Sequence, residues 1–192
     1  TSTSEAHKVD LPHGKYTLIE TKPADGYTTA ESINFEVLER NTKEENGVEI
    51  QHVEMEDDVT KVQISKQDVT TKKELPGAKL QIKDKNGNII EEWTSTNEVH
   101  YIEKLPIGEY TLIETTAPNG YDVAESVQFK VLDTNEIQHV IMYDSPTVTP
   151  GTNAPKTGDI NPVIPIAAII VVIILAGTGI FLVKGKKRKQ NK

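Results

Sequence analysis

The chain has 192 residues, 36% of them hydrophobic, with 29 Asp and Glu against 21 Lys and Arg, a formal net charge of −8 and no cysteine. That length allows one or two domains. The acidic balance argues against nucleic acid as a partner, which needs a basic face, and without cysteine any covalent reinforcement has to come from chemistry other than disulfides.

The first residues, TSTSEAHKVD, carry neither a basic n-region nor an apolar h-region. An exported protein needs an export signal, so the expectation is that this sequence is a fragment or processed form whose upstream part lies elsewhere. Self-similarity is plain. LPHGKYTLIETKPADGYTTAES from Leu11 answers to LPIGEYTLIETTAPNGYDVAES from Leu105, TSTSEAH from Thr1 to TSTNEVH from Thr94, and Ile50–Val53 to Ile137–Val140. The unit therefore occurs twice: residues 1–58 are expected to be the rear part of a truncated repeat and residues 59–145 a complete one. The first copy carries an extra polar stretch, Glu39–Gly47, expected to be a longer surface loop.

Within the complete copy the signals are β throughout. Lys61–Gln67 alternates, with Val62 and Ile64 on one face, and Lys79–Lys83 does the same with Leu80 and Ile82 inward. The Asn-Gly pair in Asp84–Asn88 favours a tight hairpin turn into Ile89–Thr94. Val99–Glu103, Glu109–Thr115, Ser126–Leu132 and Glu136–Tyr143 follow, separated by turns with Pro or Gly or by short polar loops. Seven short strands in so few residues predict an all-β sandwich.

Three polar residues fall where strand parity predicts the core. Lys66 shares its parity with Val62 and Ile64, Glu114 with Tyr110 and Leu112, and Asp144 with Val140 and Met142. In the first repeat Glu20 stands where Glu114 does, and Asp57, on the apolar side of Val53 and Met55, where Asp144 does. A buried lysine and two buried carboxylates are each costly alone, so the three are expected to meet, by spacing alone as a buried ion cluster. The repeat-equivalent histidines His7, His52, His100 and His139 lack metal-ligand spacing, no metal or cofactor is expected, and no nucleophile triad or phosphate loop is present.

From residue 146 to 161 the chain turns to Pro, Thr, Gly and Asn, an extended linker. Residues 162–183 are the expected membrane segment, and within it the uncharged, Ile- and Val-rich run Ile166–Val183 is about 27 Å long as a helix, close to the roughly 30 Å core of a bilayer. Residues 184–192 then carry six Lys or Arg. The expectation is a transmembrane helix with its basic tail in the cytoplasm and everything before it outside the cell.

Two resemblances follow. Ala154-Pro155-Lys156-Thr157-Gly158, the apolar span and the basic tail together resemble the cell-wall sorting signal of Gram-positive surface proteins. In that family the membrane-bound transpeptidase sortase cuts between Thr and Gly and joins the Thr carboxyl to a peptidoglycan amine or to a pilus subunit. The implied cut falls between Thr157 and Gly158; Ala154 stands where the commonest motif has Leu. The VQISK, ELPGAKLQIKDKNGNII, LPIGEYTLIETTAPNGY and HVIMYD segments are similar to Cna B-type and SpaA-like repeats, which are Greek-key, transthyretin-like sandwiches. That resemblance implies an intramolecular isopeptide bond between Lys66 and Asp144, assisted by Glu114 as proton relay, with Glu20 and Asp57 as the equivalents in the truncated repeat whose lysine lies upstream. A single self-reaction, not enzymatic turnover, is implied.

The combined expectation is the stalk region of a wall-anchored adhesin, secreted, stapled, and spanning the plasma membrane until it is sorted. Three other readings stay open: a pilin subunit polymerised by sortase, which needs a donor lysine in a Tyr-Pro-Lys-like setting absent from this sequence, a module that itself binds a host extracellular-matrix ligand, and an ordinary single-pass membrane protein whose Ala154–Gly158 is accidental and which keeps Lys184–Lys192. For the stalk, such a ligand would be bound by the upstream region.

Overall fold

The computed structural model describes residues 5–39, 43–45 and 48–147, and every regular element among them is a strand. The sorting motif, the apolar run and the basic tail lie outside the described residues.

The second repeat is built of β5 (Lys61–Asp68), β6 (Lys79–Asp84), β7 (Ile89–Thr94), β8 (His100–Glu103), β9 (Gly108–Thr116), β10 (Val127–Val131) and β11 (Ile137–Asp144). They form a four-stranded sheet in the order β10-β9-β6-β7 and a three-stranded sheet in the order β11-β5-β8. All pairs are antiparallel except β5 with β11, which run parallel from Lys61 opposite Ile137 to Asp68 opposite Asp144. The alternation read from the sequence is the burial observed. Val62, Ile64, Leu80, Ile82, Leu112 and Val140 face a single core between the sheets, as side chains of period two must when each sheet has one dry face.

Strand bounds shift by a residue or two at several ends. Asp84–Asn88 is the hairpin turn between β6 and β7, a five-residue connection with a bulge beside it. The register slips between Ile82 and Lys83, and the Asp84 carboxylate accepts from the amides of Asn86 (2.8 Å) and Asn88 (2.9 Å). Gly87 takes φ +84°, where only glycine is unstrained.

In the first repeat, β1 (Gly14–Leu18) and β2 (Ile33–Val37) pair in the register of β9 and β10: Tyr16 lies opposite Phe35 as Tyr110 does opposite Phe129. Both ring pairs stack at 26°, with centroids 5.7 and 5.6 Å apart. Each tyrosine hydroxyl donates to a proline carbonyl four residues back, Pro12 at 2.9 Å and Pro106 at 2.8 Å. Local sequence therefore writes the same hairpin twice, but the packing differs. β9 is extended to Thr116 and paired with β6, whereas β1 stops at Leu18 with no such neighbour among the described residues.

Two expectations for the first repeat are corrected. The stretch read as a surface loop, Glu39–Gly47, contains a strand, β3 (Lys43–Glu45), which pairs with β4 (Val48–Ile50) just beyond it. Residues 51–58 form no strand. Val53 and Met55 remain half-buried, but Asp57 is exposed, because a strand's inward parity has meaning only when a neighbouring strand and a facing sheet define an inside.

This contrast predicts unequal effects at equivalent positions. Leu112 is 0% exposed and Leu18 is 38% exposed. Leu112→Ala is expected to destabilise by about 2–5 kcal/mol, through lost burial and the cavity left behind, and Leu18→Ala by under about 1 kcal/mol. Urea denaturation of both variants measures the difference.

Candidate functional site

Lys66 sits on β5, the middle strand of the three-stranded sheet, at the position where the alternation of Val62 and Ile64 would be continued by another Val or Ile. It is 2% exposed and among the largest fully buried side chains of the chain. Asp144, 0% exposed, closes β11 beside it. Glu114, 4% exposed, reaches across from β9 in the facing sheet. Lys66 Nζ is in direct contact with Asp144 Oδ1 and lies 3.2 Å from Glu114 Oε1. The three side chains brought together come from both sheets and from the first, fifth and last strands of the sandwich.

The site is under-satisfied. Glu114 Oε2 accepts from the amide of Ala124 at 2.6 Å, which aims the carboxylate. Asp144 Oδ2 is buried with no hydrogen-bond donor, and Glu114 Oε1 has only the Lys66 ammonium, at 3.2 Å, which it shares with Asp144, a costly state for buried carboxylate oxygens. Burial drives the Asp144 carboxyl up from the ordinary carboxylate range to about 6, and the charge of Glu114 pushes the same way against the pull of Lys66.

A neighbouring carboxylate shows the opposite design. Asp68, also on β5, accepts from the Tyr121 hydroxyl at 2.6 Å and from the amides of Thr70 and Thr71, each at 2.7 Å. These donors, the Tyr121 hydroxyl first, hold it below the usual carboxylate range. Asp68 is a satisfied anion, whereas Asp144 is set toward the neutral acid, the form in which a carboxyl carbon can be attacked by an amine.

Chemically, the arrangement places an amine nitrogen against a carboxyl group with a second carboxylate within reach of both, in a site that excludes bulk water. An amine and a carboxylic acid held in this way can condense to an amide.

The equivalent positions of the first repeat are not brought together. Glu20 Oε2 accepts from the amide of Ala30 at 2.8 Å, reproducing the Glu114–Ala124 bond, while Asp57 is exposed. The aiming amide, Ala30 or Ala124, was not legible in advance; its only signal is the identical spacing from YTLIE to AES in both copies. His100 stacks on Trp93 with ring centroids 4.2 Å apart, its Nε2 lies 2.6 Å from Glu91 Oε1, and no cluster among the described residues could hold a metal ion.

Residues 1–52 and 60–146 match the family model described as SpaA, prealbumin-like fold domain, and the chain belongs to that family. Among solved structures it is similar to the Bacillus anthracis TIE protein, with 27% identity over 71% of this chain and 26% of that one and a TM-score of 0.49. It is also similar to the shaft pilin SpaA from Lactobacillus rhamnosus GG, with 17% identity, 70% and 65% coverage and a TM-score of 0.41. A third similarity is to the pilus-presented adhesin Spy0125 (Cpa), with 34% identity, 41% and 18% coverage and a TM-score of 0.36. The chain thus spans about a quarter of the first of these proteins and just under two thirds of the second. No curated protein matches the chain.

Proposed function

We propose that the chain is the membrane-proximal stalk of a cell-surface protein, divided at residues 58/59 into a partial and a complete repeat, with the complete repeat closed by a Lys66–Asp144 isopeptide bond. The observation that carries this is the under-satisfied contact of three fully buried ionisable groups. As a permanent ion cluster it leaves Asp144 Oδ2 without a donor and one ammonium shared between two carboxylates, whereas condensation removes the charges of Lys66 and Asp144 altogether.

The reaction balances within the site. The neutral Lys66 Nζ attacks Asp144 Cγ. A proton from the nitrogen passes by way of Glu114 to a carboxyl oxygen, the C–O bond breaks, that oxygen departs as water, and an amide remains. It occurs once per molecule.

In this reading residues 146–161 hold Ala154–Gly158 away from the sandwich for sortase, residues 162–183 keep the precursor in the plasma membrane, and residues 184–192 stay in the cytoplasm. Transfer of the Thr157 carboxyl to a peptidoglycan amine then leaves the repeats outside the cell on the wall.

The test is intact mass. The folded chain is expected to be one water lighter than its sequence requires, and Lys66→Ala and Glu114→Ala are expected to show their full masses. A full-mass folded wild type would return the three residues to an ordinary ion cluster.

A further inference from the structure

The two repeats meet at a built joint. The turn Gly26–Thr29 of the first repeat seats on Lys104, Leu105 and Asp133 of the second, and Thr60, 0% exposed, pins the two together. Its amide donates to Gly26 O at 3.0 Å, its hydroxyl donates to Leu105 O at 2.6 Å, and its carbonyl accepts from the amide of Lys104 at 3.0 Å. Thr29 donates through its amide (2.8 Å) and its hydroxyl (2.6 Å) to the Asp133 carboxylate. The Lys104 ammonium lies 5.0 Å from the centre of the Tyr27 ring. Gly26 has φ +85°, and a Cβ there would come within 2.5 Å of Lys104 O, so the close approach needs glycine on both counts.

The far end of the second repeat supplies a natural comparison. Gly120, the equivalent of Gly26, has the same φ of +85°, but a Cβ there would meet nothing within 4 Å. The Thr147 amide donates to Gly120 O at 2.8 Å, as that of Thr60 does to Gly26 O, and Tyr121 bridges Pro146 as Tyr27 bridges Val59. The hydroxyl differs: that of Thr147 donates to Asp122, in the turn beside Gly120, at 3.1 Å, whereas that of Thr60 donates to Leu105 O of the second repeat and so ties the Gly26 contact to that repeat's own backbone. The backbone device is common to both repeats, and the contacts across the boundary belong to Gly26, Thr29, Thr60, Lys104 and Asp133.

We infer that this junction is a stiff coupling which fixes the two repeats in one orientation, so that the tandem moves as a single body and not as beads on a linker. Tandem units joined by a large unsatisfied hinge would be free to swing. Here Thr28 and Thr60, on either side of the exposed Asp57 and Asp58, are buried, and the Thr60 amide bonds across the boundary to Gly26 O while its carbonyl bonds the Lys104 amide within the second repeat. The inference is independent of the Lys66–Asp144 bond, since mass reads the bond and amide exchange reads the joint.

Residue-resolved hydrogen exchange of the full chain in detergent micelles tests it, with Gly26→Ala, Gly120→Ala and Asp133→Ala. In the wild type the amides of Thr28, Thr29, Thr60 and Lys104 are expected to be protected. Gly26→Ala is expected to accelerate Thr60 and Lys104 by about tenfold or more while leaving Leu112 and Phe129 unchanged. Gly120→Ala introduces the same backbone strain without the clash and is expected to leave Thr60 and Lys104 as they were. Asp133→Ala, an exposed substitution that does not threaten the fold, is expected to accelerate Thr29. Unchanged exchange at Thr60 and Lys104 in Gly26→Ala, at Thr29 in Asp133→Ala, or equal acceleration by Gly26→Ala and Gly120→Ala, would overturn the stiff coupling.

Discussion

Lys66→Ala is expected to remove most of the stability of the second sandwich. Two losses coincide. The cross-link proposed between Lys66 and Asp144 spans a sequence separation of 78 residues, and closing a loop of that size restricts the unfolded chain by about 4–5 kcal/mol on the chain-entropy estimate used for disulfides. The truncation also leaves Asp144 and Glu114 buried without their cation, a change that costs about 3–5 kcal/mol when one partner of a buried pair is removed. The second loss is softened because Asp144 takes up a proton readily, so the two do not simply add. Even about 4 kcal/mol is a large share of the roughly 5–15 kcal/mol that holds a domain folded. For a unit of this size it lowers Tm by roughly 20 °C or more. Thermal melts of the wild type and the variant measure it, and a difference under about 5 °C would exclude both the cross-link and the buried pair as stabilising elements.

Glu114→Gln is expected to give the folded chain a dependence on pH that the wild type lacks. Without the relay, Lys66 and Asp144 remain side by side and unbonded, and Asp144 continues to titrate. Its folded pKa is raised, to about 6 with Glu114 present, above the ordinary carboxylate value of 3.8. The folded state therefore binds the proton more tightly than the unfolded state, so stability is highest below the unfolded value and falls as pH rises toward the folded one. In the variant the upper edge of that window moves below 6, because the charge of Glu114 is one of the causes of the shift. With the proposed bond in place, the wild-type Asp144 carboxyl is an amide and contributes no slope. Asp68 and Asp84, both held below the usual range by their donors, contribute the opposite slope at lower pH in both proteins and cancel in the comparison. Urea denaturation at intervals from pH 4 to 7 reads the difference, and parallel profiles for the two proteins would count against the bond.

The sandwich was legible because its strands alternate cleanly, and a period of two leaves little freedom in which side chain faces in. Lys66 and Asp144 stand out for that reason: each continues an apolar series that its chemistry does not suit. Glu114 was harder to read, since Ile113 gives the other face of β9 an apolar residue as well. Its burial is decided by the facing sheet, which no local pattern contains. The same limit explains Asp57. Its parity copies that of Asp144, but residues 51–58 lack a paired strand among the described residues, so there is no interior for it to point into. The joint at Gly26 and Thr60 was not legible at all, because a glycine in a turn and a threonine before a strand look ordinary until the carbonyls of Lys104 and Leu105 arrive from distant parts of the chain.

The parallel pairing of β5 with β11 has a mechanical consequence. The chain enters the sandwich at one pole, beside Lys61 and Ile137, and leaves it at the other, beside Asp68 and Asp144. With Lys66 joined to Asp144, tension applied to the two ends runs through the first few residues of β5, across the amide and out. The residues between them then add nothing to the contour length, although uncoupled they would pay out roughly 270 Å of extended chain. Core, turns and the other five strands hang off this short path like cladding on a cable, and the domain becomes inextensible however weakly they are held.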